Sequence, residues 1–335
     1  MIGSANGGAV SITGLGTHVP ERVVTNDDLA KLVDTSDEWI LTRTGIRERR
    51  FAAPEEALSD ISLPAARAAL EQAGLTGADI DLLIVATVTA DMQFPSTAAI
   101  LADQLGATNA GAYDLAAGCT GFMYGIAQAY GMVESGLSRH ALVVGADVLS
   151  KLMNFADRST CVLFGDGAGA VVIERVLKDG FLGFELGVDG AGGKDLNLPA
   201  GGSRMPTTAE TVASGAHYVH MNGREVFKFA TRVLVSSARD VLEQCDLSLE
   251  DVDVYVPHQA NVRIIDHAVG KLGIPKEKVI VNVDRYGNTS SASIPLALAD
   301  AVASGLMKTG DTVLMTGMGA GLTWGSALMR WTAPV

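Results

Sequence analysis

Short apolar runs separated by segments with helical spacing dominate this 335-residue chain. The runs fall at 10–15, 82–87, 112–115, 141–145 and 169–174, then again at 252–256, 278–283, 312–316 and 326–331. Each has the length of a strand, and the stretches between them carry apolar residues every three or four positions. That alternation predicts βαβ units around a largely parallel sheet, and so an α/β protein. Two stretches break the pattern. Residues 197–214 are dense in Gly, Pro, Ser and Thr and read as a surface excursion. Residues 91–96 interrupt the first half after a strand, with Phe94-Pro95 in the break.

The pattern also occurs twice. Leu70-Glu71-Gln72-Ala73-Gly74-Leu75, leading into Asp79-Ile80-Asp81, returns as Leu242-Glu243-Gln244-Cys245-Asp246-Leu247 and Asp251-Val252-Asp253, roughly 170 positions later. Gly118-Cys119-Thr120 falls opposite Gly287-Asn288-Thr289, and Ser135-Gly136-Leu137 opposite Ser304-Gly305-Leu306. A duplication predicts two similar halves sharing a core, at 1–180 and 215–335, with 181–214 as the connecting excursion. Packing positions survive duplication, so positions that differ between copies are candidates for a shared site. Cys119 and Asn288 are such a pair.

Composition narrows the chemistry. The formal charge of −13 argues against nucleic acid as a main partner, because phosphate binding needs a net basic surface. Cys119, Cys161 and Cys245 are odd in number and irregular in spacing, giving neither a disulfide framework nor a metal-binding pattern. A reduced, cytoplasmic setting is the expectation. Residues 1–10 lack the features of a secretory leader, and no apolar run is long enough to span a bilayer.

Cys119 follows a strand and precedes a helix running through Tyr124, Ile126 and Tyr130. At a helix N-terminus the macrodipole and unpaired N–H groups favour thiolate over thiol. Small neighbours (Ala116, Ala117, Gly118, Gly121) leave room for a carbonyl to approach. The plainer reading is a small buried hydrophobe, which is how Cys161 and Cys245 are read. His258 stands just past a strand end, where ligands bind in open α/β sheets. Asn288 heads the helix mirroring that of Cys119, where an asparagine ordinarily serves as an N-cap. Converging where the repeats meet, the three would supply a nucleophile and two neutral donors for an oxyanion or enolate. The turn Thr316-Gly317-Met318-Gly319-Ala320-Gly321 offers a backbone N–H, at Ala320, to complete an oxyanion hole with the Cys119 amide.

Several motifs in order carry a family resemblance: Asp37-Glu38-Trp39-Ile40 with Arg43-Thr44-Gly45-Ile46, Gly118-Cys119-Thr120-Gly121, Gly165-Asp166-Gly167-Ala168-Gly169, Pro257-His258-Gln259-Ala260-Asn261, Gly287-Asn288-Thr289-Ser290 and Thr323-Trp324-Gly325-Ser326. The chain resembles the β-ketoacyl-[acyl-carrier-protein] synthase III family, the initiating condensing enzymes of type II fatty acid synthesis in the thiolase-like superfamily. The resemblance implies a thiolase-like fold, with its duplicated βαβ halves in five αβαβα layers, and a homodimer. It implies condensation of an acyl-CoA primer with malonyl-acyl carrier protein (malonyl-ACP), with Cys119, His258 and Asn288 catalytic. No metal or resident cofactor is implied.

By the same resemblance Trp39 and Arg158 surround the adenine of coenzyme A and Arg43 its phosphates, while Gly223 and Asn261 lie along the pantetheine tunnel. Phe94 and Met318 belong to the acyl pocket, Phe94 by reaching into a partner subunit. Met318 and Ala320 depart from the family's usual Phe and Gly, which bears on the primer. Arg224, Lys228 and Arg232 form one basic stripe, and Arg263, His267 and Lys271 another opposite Ile264, Ile265, Ala268 and Val269. Such stripes are ordinarily solvated faces; on so acidic a chain Arg224, Lys228, Arg263 and Lys271 read as a dock for an acidic carrier protein. Three other readings stay open. Ala117-Gly118-Cys119-Thr120-Gly121 resembles the nucleophile elbow of a cysteine α/β-hydrolase. Gly165-Asp166-Gly167-Ala168-Gly169-Ala170 weakly suggests a dinucleotide site. A related synthase priming a polyketide or other secondary product fits the same motifs.

Overall fold

The computed structural model describes residues 8–333, so the N-terminal residues read above as free of a leader lie mostly outside it. Two sheets form the frame. The first has the spatial order Ala9–His18, Gly167–Val176, His140–Asp147, Leu82–Ala86, Gly111–Leu115, and the second Gly180–Val188, Thr323–Arg330, Thr312–Gly319, Val254–Pro257. In each sheet the first two pairings in that order are antiparallel and the later ones parallel. The second sheet thus repeats the topology of the first four strands of the first.

The central strands Leu82–Ala86, His140–Asp147, Val254–Pro257 and Thr312–Gly319 read as near-continuous apolar runs because both of their faces are buried. Ile84, Val143, Val171 and Ile173 point inward to a core shared with Val254, Val256, Val313 and Met315 of the second sheet. The alternating set Leu83, Val85, Leu142, Val144 and Val172 points outward, under helix Leu58–Ala73. Between the sheets lie helices Gly121–Glu134 and Ser293–Ala303, whose Phe122, Ile126, Ile294 and Leu298 fill that shared core. Helices Gly223–Gln244 and Val262–Leu272 cover the second sheet. The result is the five-layered αβαβα stack expected from the thiolase-like resemblance.

Two local expectations change. Residues 278–283 are not a strand: a 3-10 turn Lys276–Lys278 leads to a single bridge between Tyr255 and Val279, and helix Val283–Tyr286 follows. The Gln259 side chain takes the hydrogen bonds a strand would use, donating to the Ile280 carbonyl at 3.2 Å and accepting from the Asn282 amide at 3.0 Å. Conversely, Gly180–Val188 is an edge strand of the second sheet, repeating Ala9–His18 of the first. The excursion beyond it holds two short paired strands, Leu196–Asn197 and His220–Met221, and helix Ala209–Ala213.

Candidate active site

The inner helices begin where the two sheets' strands end, so their N-terminal turns meet at the seam. Gly118, at φ 57°, turns the chain after strand Gly111–Leu115 and sets Cys119 just ahead of helix Gly121–Glu134. Opposite it comes the mirror turn Asn288–Ser293. The Ser290 hydroxyl donates to Cys119 Sγ at 3.3 Å, and Ser291 donates to the Gly118 carbonyl at 3.1 Å. A third turn, after strand Thr312–Gly319, presses against the first. A methyl group added to Gly319 would lie 2.5 Å from the Cys119 nitrogen, and one on Gly118 would lie 2.6 Å from the Ala320 nitrogen. The Cys119 and Ala320 amides are therefore close neighbours because both turns carry glycine at the contact. Thr120 and Thr323 lock the pair, Thr120 donating to Thr323 at 2.6 Å.

A cavity of about 210 Å³ runs inward from the surface and is lined by Cys119, His258 and Asn288 at its depth. His258 follows strand Val254–Pro257, its amide held by the Thr316 carbonyl at 2.8 Å. Its Nδ1 lies 2.5 Å from Ser293 Oγ, while its buried Nε2 has no hydrogen-bond partner among the described residues. The Asn288 backbone forms an isolated bridge to Phe164, and its Oδ1 accepts from the Ser290 amide at 2.9 Å. With that oxygen occupied, the amide nitrogen of the side chain is the end left for the cavity.

Burial sets the protonation states. Desolvation pushes the Cys119 thiol up to about 12, and the Ser290 hydrogen bond offsets this only in part. Desolvation also lowers His258 to about 4, so its imidazole is neutral at pH 7. The thiolate expected from the helix terminus alone is thus not the resting form. Removing the sulfur from water raises the thiol, and the buried Asp147 carboxylate nearby adds to the same direction.

Toward the surface the cavity passes Met318, Ile264, Phe227 and Gly223 and opens beside Trp39, Arg43, Arg158 and Asn261. Trp39 and Arg43 share helix Asp37–Thr44, capped by Ser36 and ended by Gly45. The Arg43 and Arg158 guanidinium carbons sit 4.5 and 5.1 Å from the Trp39 ring centre. Asn261 caps helix Val262–Leu272 through its oxygen and donates to the Arg43 carbonyl at 3.1 Å, so both ends of its amide are held by protein. Arg224 follows Gly223, and Arg263 lies 5.9 Å from the Phe227 ring at the same mouth. Lys228 pairs with Glu225 at 2.8 Å, and Lys271 stands about 12 Å further along its helix than Arg263.

On the far side of Cys119 lies a second, mostly apolar cavity of about 180 Å³. It is walled by Val88, Leu149, Leu152, Leu198 and Val219, with Ala320 and Ser290 beside the sulfur. Met318 lines the first cavity and not this one. Phe94 lines neither and is 85% exposed on this chain. The sequence reading missed this second cavity, as well as Ser290 and Ser293. Its available signal for the serines was a run of small hydroxyls, Thr289-Ser290-Ser291 and Ser293, heading an otherwise apolar helix.

Twin halves of one topology enclosing a buried thiol at their seam define the thiolase-like class of acyl-transferring enzymes. Comparison with known proteins narrows the class. The model for 3-oxoacyl-[acyl-carrier-protein] synthase III matches residues 113–190, and that for its C-terminal region matches 242–331. A β-ketoacyl-[acyl-carrier-protein] synthase III of Symbiobacterium thermophilum is 58% identical, covering 96% of this chain and 98% of its own. The crystal structure of the synthase III from Aquifex aeolicus is 45% identical, with a TM-score of 0.90 over 96% of this chain and all of the other. A priming β-ketosynthase from the R1128 polyketide pathway superposes with a TM-score of 0.92 at 39% identity, over 98% and 97% of the two chains. The chain belongs to the 3-oxoacyl-[acyl-carrier-protein] synthase III family, and is an acyltransferase of the initiating condensation in fatty acid synthesis. Among the described residues no helix is long and apolar enough to cross a membrane.

Proposed function

We propose that the chain joins an acyl-CoA primer to malonyl-ACP with loss of CO₂, using Cys119, His258 and Asn288. The observation that carries this reading is one cavity lined by all three, with an apolar pocket behind the sulfur. The Cys119 sulfur attacks the primer's thioester carbonyl, and the oxyanion meets the Cys119 and Ala320 amides. CoA departs as the thiol, taking the proton that Cys119 gives up. Malonyl-ACP then loses CO₂, and its enolate oxygen accepts from His258 Nε2 and Asn288 Nδ2. The enolate carbon attacks the acyl thioester, releasing β-ketoacyl-ACP and a sulfur that takes up a proton again. A neutral His258 suits this step, because it donates one hydrogen bond without reorganising as charge develops.

The stacked Trp39, Arg43 and Arg158 suit a flat, anionic nucleotide, which supports coenzyme A at the mouth. Arg224 and Arg263 beside that mouth support docking of an acidic carrier protein on a chain of charge −13. The exposed Phe94 supports a homodimer in which a second copy lends this ring to the apolar cavity. A panel of acyl-CoAs with malonyl-ACP tests the whole scheme by mass spectrometry. Expected are an acyl thioester on Cys119, a Michaelis constant for malonyl-ACP that rises with salt, and a dimer's mass in solution. His258→Ala should lose malonyl decarboxylation by roughly 100-fold while still acylating. Wild-type decarboxylation in that variant would remove His258 from the scheme.

A further inference from the structure

We propose that Ser293 is a positioning residue that fixes His258 in the Nε2–H tautomer, so that the donor of the imidazole faces the reacting oxygen. The inference rests on the role proposed for His258 and adds the group that sets it. A neutral imidazole carries one N–H and one bare nitrogen, and the partner of one nitrogen decides what the other presents. Here Nδ1 lies 2.5 Å from Ser293 Oγ. The Gln259 backbone N–H also points at that oxygen, at 3.4 Å. Among the described residues the Ser293 hydroxyl has no other hydrogen-bond partner.

Counting donors and acceptors separates the two tautomers. If Nδ1 carried the proton, Ser293 Oγ would accept from both Nδ1 and Gln259. The serine's own proton would then be left without an acceptor in a fully buried place, and a bare Nε2 would face the cavity. If Ser293 donates to Nδ1, every group in the cluster is satisfied except Nε2–H. That single orphan is buried at the end of the cavity lined by Cys119 and Asn288. Buried polar groups left unpaired are costly, so the second arrangement is the stable one. Gln259 is in turn pinned, donating to the Pro257 and Ile280 carbonyls and accepting from Asn282, which keeps the hydroxyl oriented. The ring is therefore set before substrate arrives.

The test reads the ring directly. In ¹⁵N-histidine protein without ligand, NMR should show His258 Nε2 protonated and Nδ1 as a hydrogen-bonded acceptor. A ring protonated at Nδ1 would overturn the proposal without any variant. In Ser293→Ala the Nδ1 resonance should move toward that of an unbonded acceptor, and malonyl decarboxylation should fall roughly tenfold more than Cys119 acylation. Ser293→Thr, which keeps the hydroxyl, should restore both. An Ala variant with an unchanged ring spectrum and decarboxylation rate would also overturn it. Loss of decarboxylation in His258→Ala remains the separate test of whether this imidazole acts at all.

Discussion

Cys119 and His258 are both held neutral by the same cause, the removal of water from the seam between the halves. For Cys119, with the thiol pushed up to about 12, the thiolate fraction at pH 7 is on the order of 10⁻⁵. Alkylation of Cys119 by iodoacetamide, followed by peptide mapping, should therefore climb about tenfold per pH unit from 7 to beyond 9. A plateau below pH 8 would mean that the helix terminus prevails over burial. For His258 the consequence is in stability. Its ordinary value of 6.5 is lowered to about 4 in the fold, so below 6.5 the unfolded chain takes up a proton that the folded one refuses. Stability falls as pH drops from 6.5 toward 4, by up to roughly 3 kcal/mol from this group. Asp166, buried and raised to about 6, works in the opposite direction over the same range. The difference between wild type and His258→Gln isolates the histidine: the variant should lose less urea resistance between pH 7 and 4.5. Equal losses would show that the imidazole is solvated in the fold.

Three turns, each ending a strand or opening a helix, meet at the sulfur, and their contact is closer than side chains would permit. Gly319→Ala places a methyl group 2.5 Å from the Cys119 nitrogen, where only the backbone can yield. Separating the Cys119 and Ala320 amides should cost acylation of Cys119 about 100-fold, read by mass spectrometry, with an unchanged circular dichroism spectrum. Acylation at the wild-type rate would remove this amide pair from catalysis. The central strands were legible because a fully buried strand leaves a continuous apolar run, as in residues 82–87 and in 312–316, which leads into the third turn. Residues 278–283 carry the same signature but form no strand, because a glutamine more than twenty positions away occupies the backbone groups at Ile280 and Asn282. Apolar pattern reports burial; it does not report which partner the backbone finds. Ser290 and Ser293 escaped for a related reason. Their hydroxyls acquire a role only once the opposite half supplies Cys119 and His258.

At the scale of the molecule, the repeat made the halves and their seam legible, since the same topology recurs in both sheets. The second cavity had no such signal. Val88, the turn Leu149–Leu152, Leu198 and Val219 come from separate segments, and no period in the sequence relates them. Yet this cavity bears on the primer, because it is where an acyl chain attached to Cys119 finds apolar walls. Val219 sits on its outer side, its amide donating to the Leu152 carbonyl at 3.0 Å, so a larger side chain there projects into the space without breaking the backbone contact. One methylene in such a pocket is worth about 1–3 kcal/mol of discrimination. Val219→Phe should therefore lower acylation by branched or longer acyl-CoAs at least tenfold relative to acetyl-CoA, leaving the acetyl rate nearly intact. Competition between the two primers, read as the mass of the thioester on Cys119, measures that ratio directly. A ratio equal to wild type would place the acyl chain elsewhere, and the first cavity, with Met318 on its wall, would then have to hold both the primer's chain and its pantetheine.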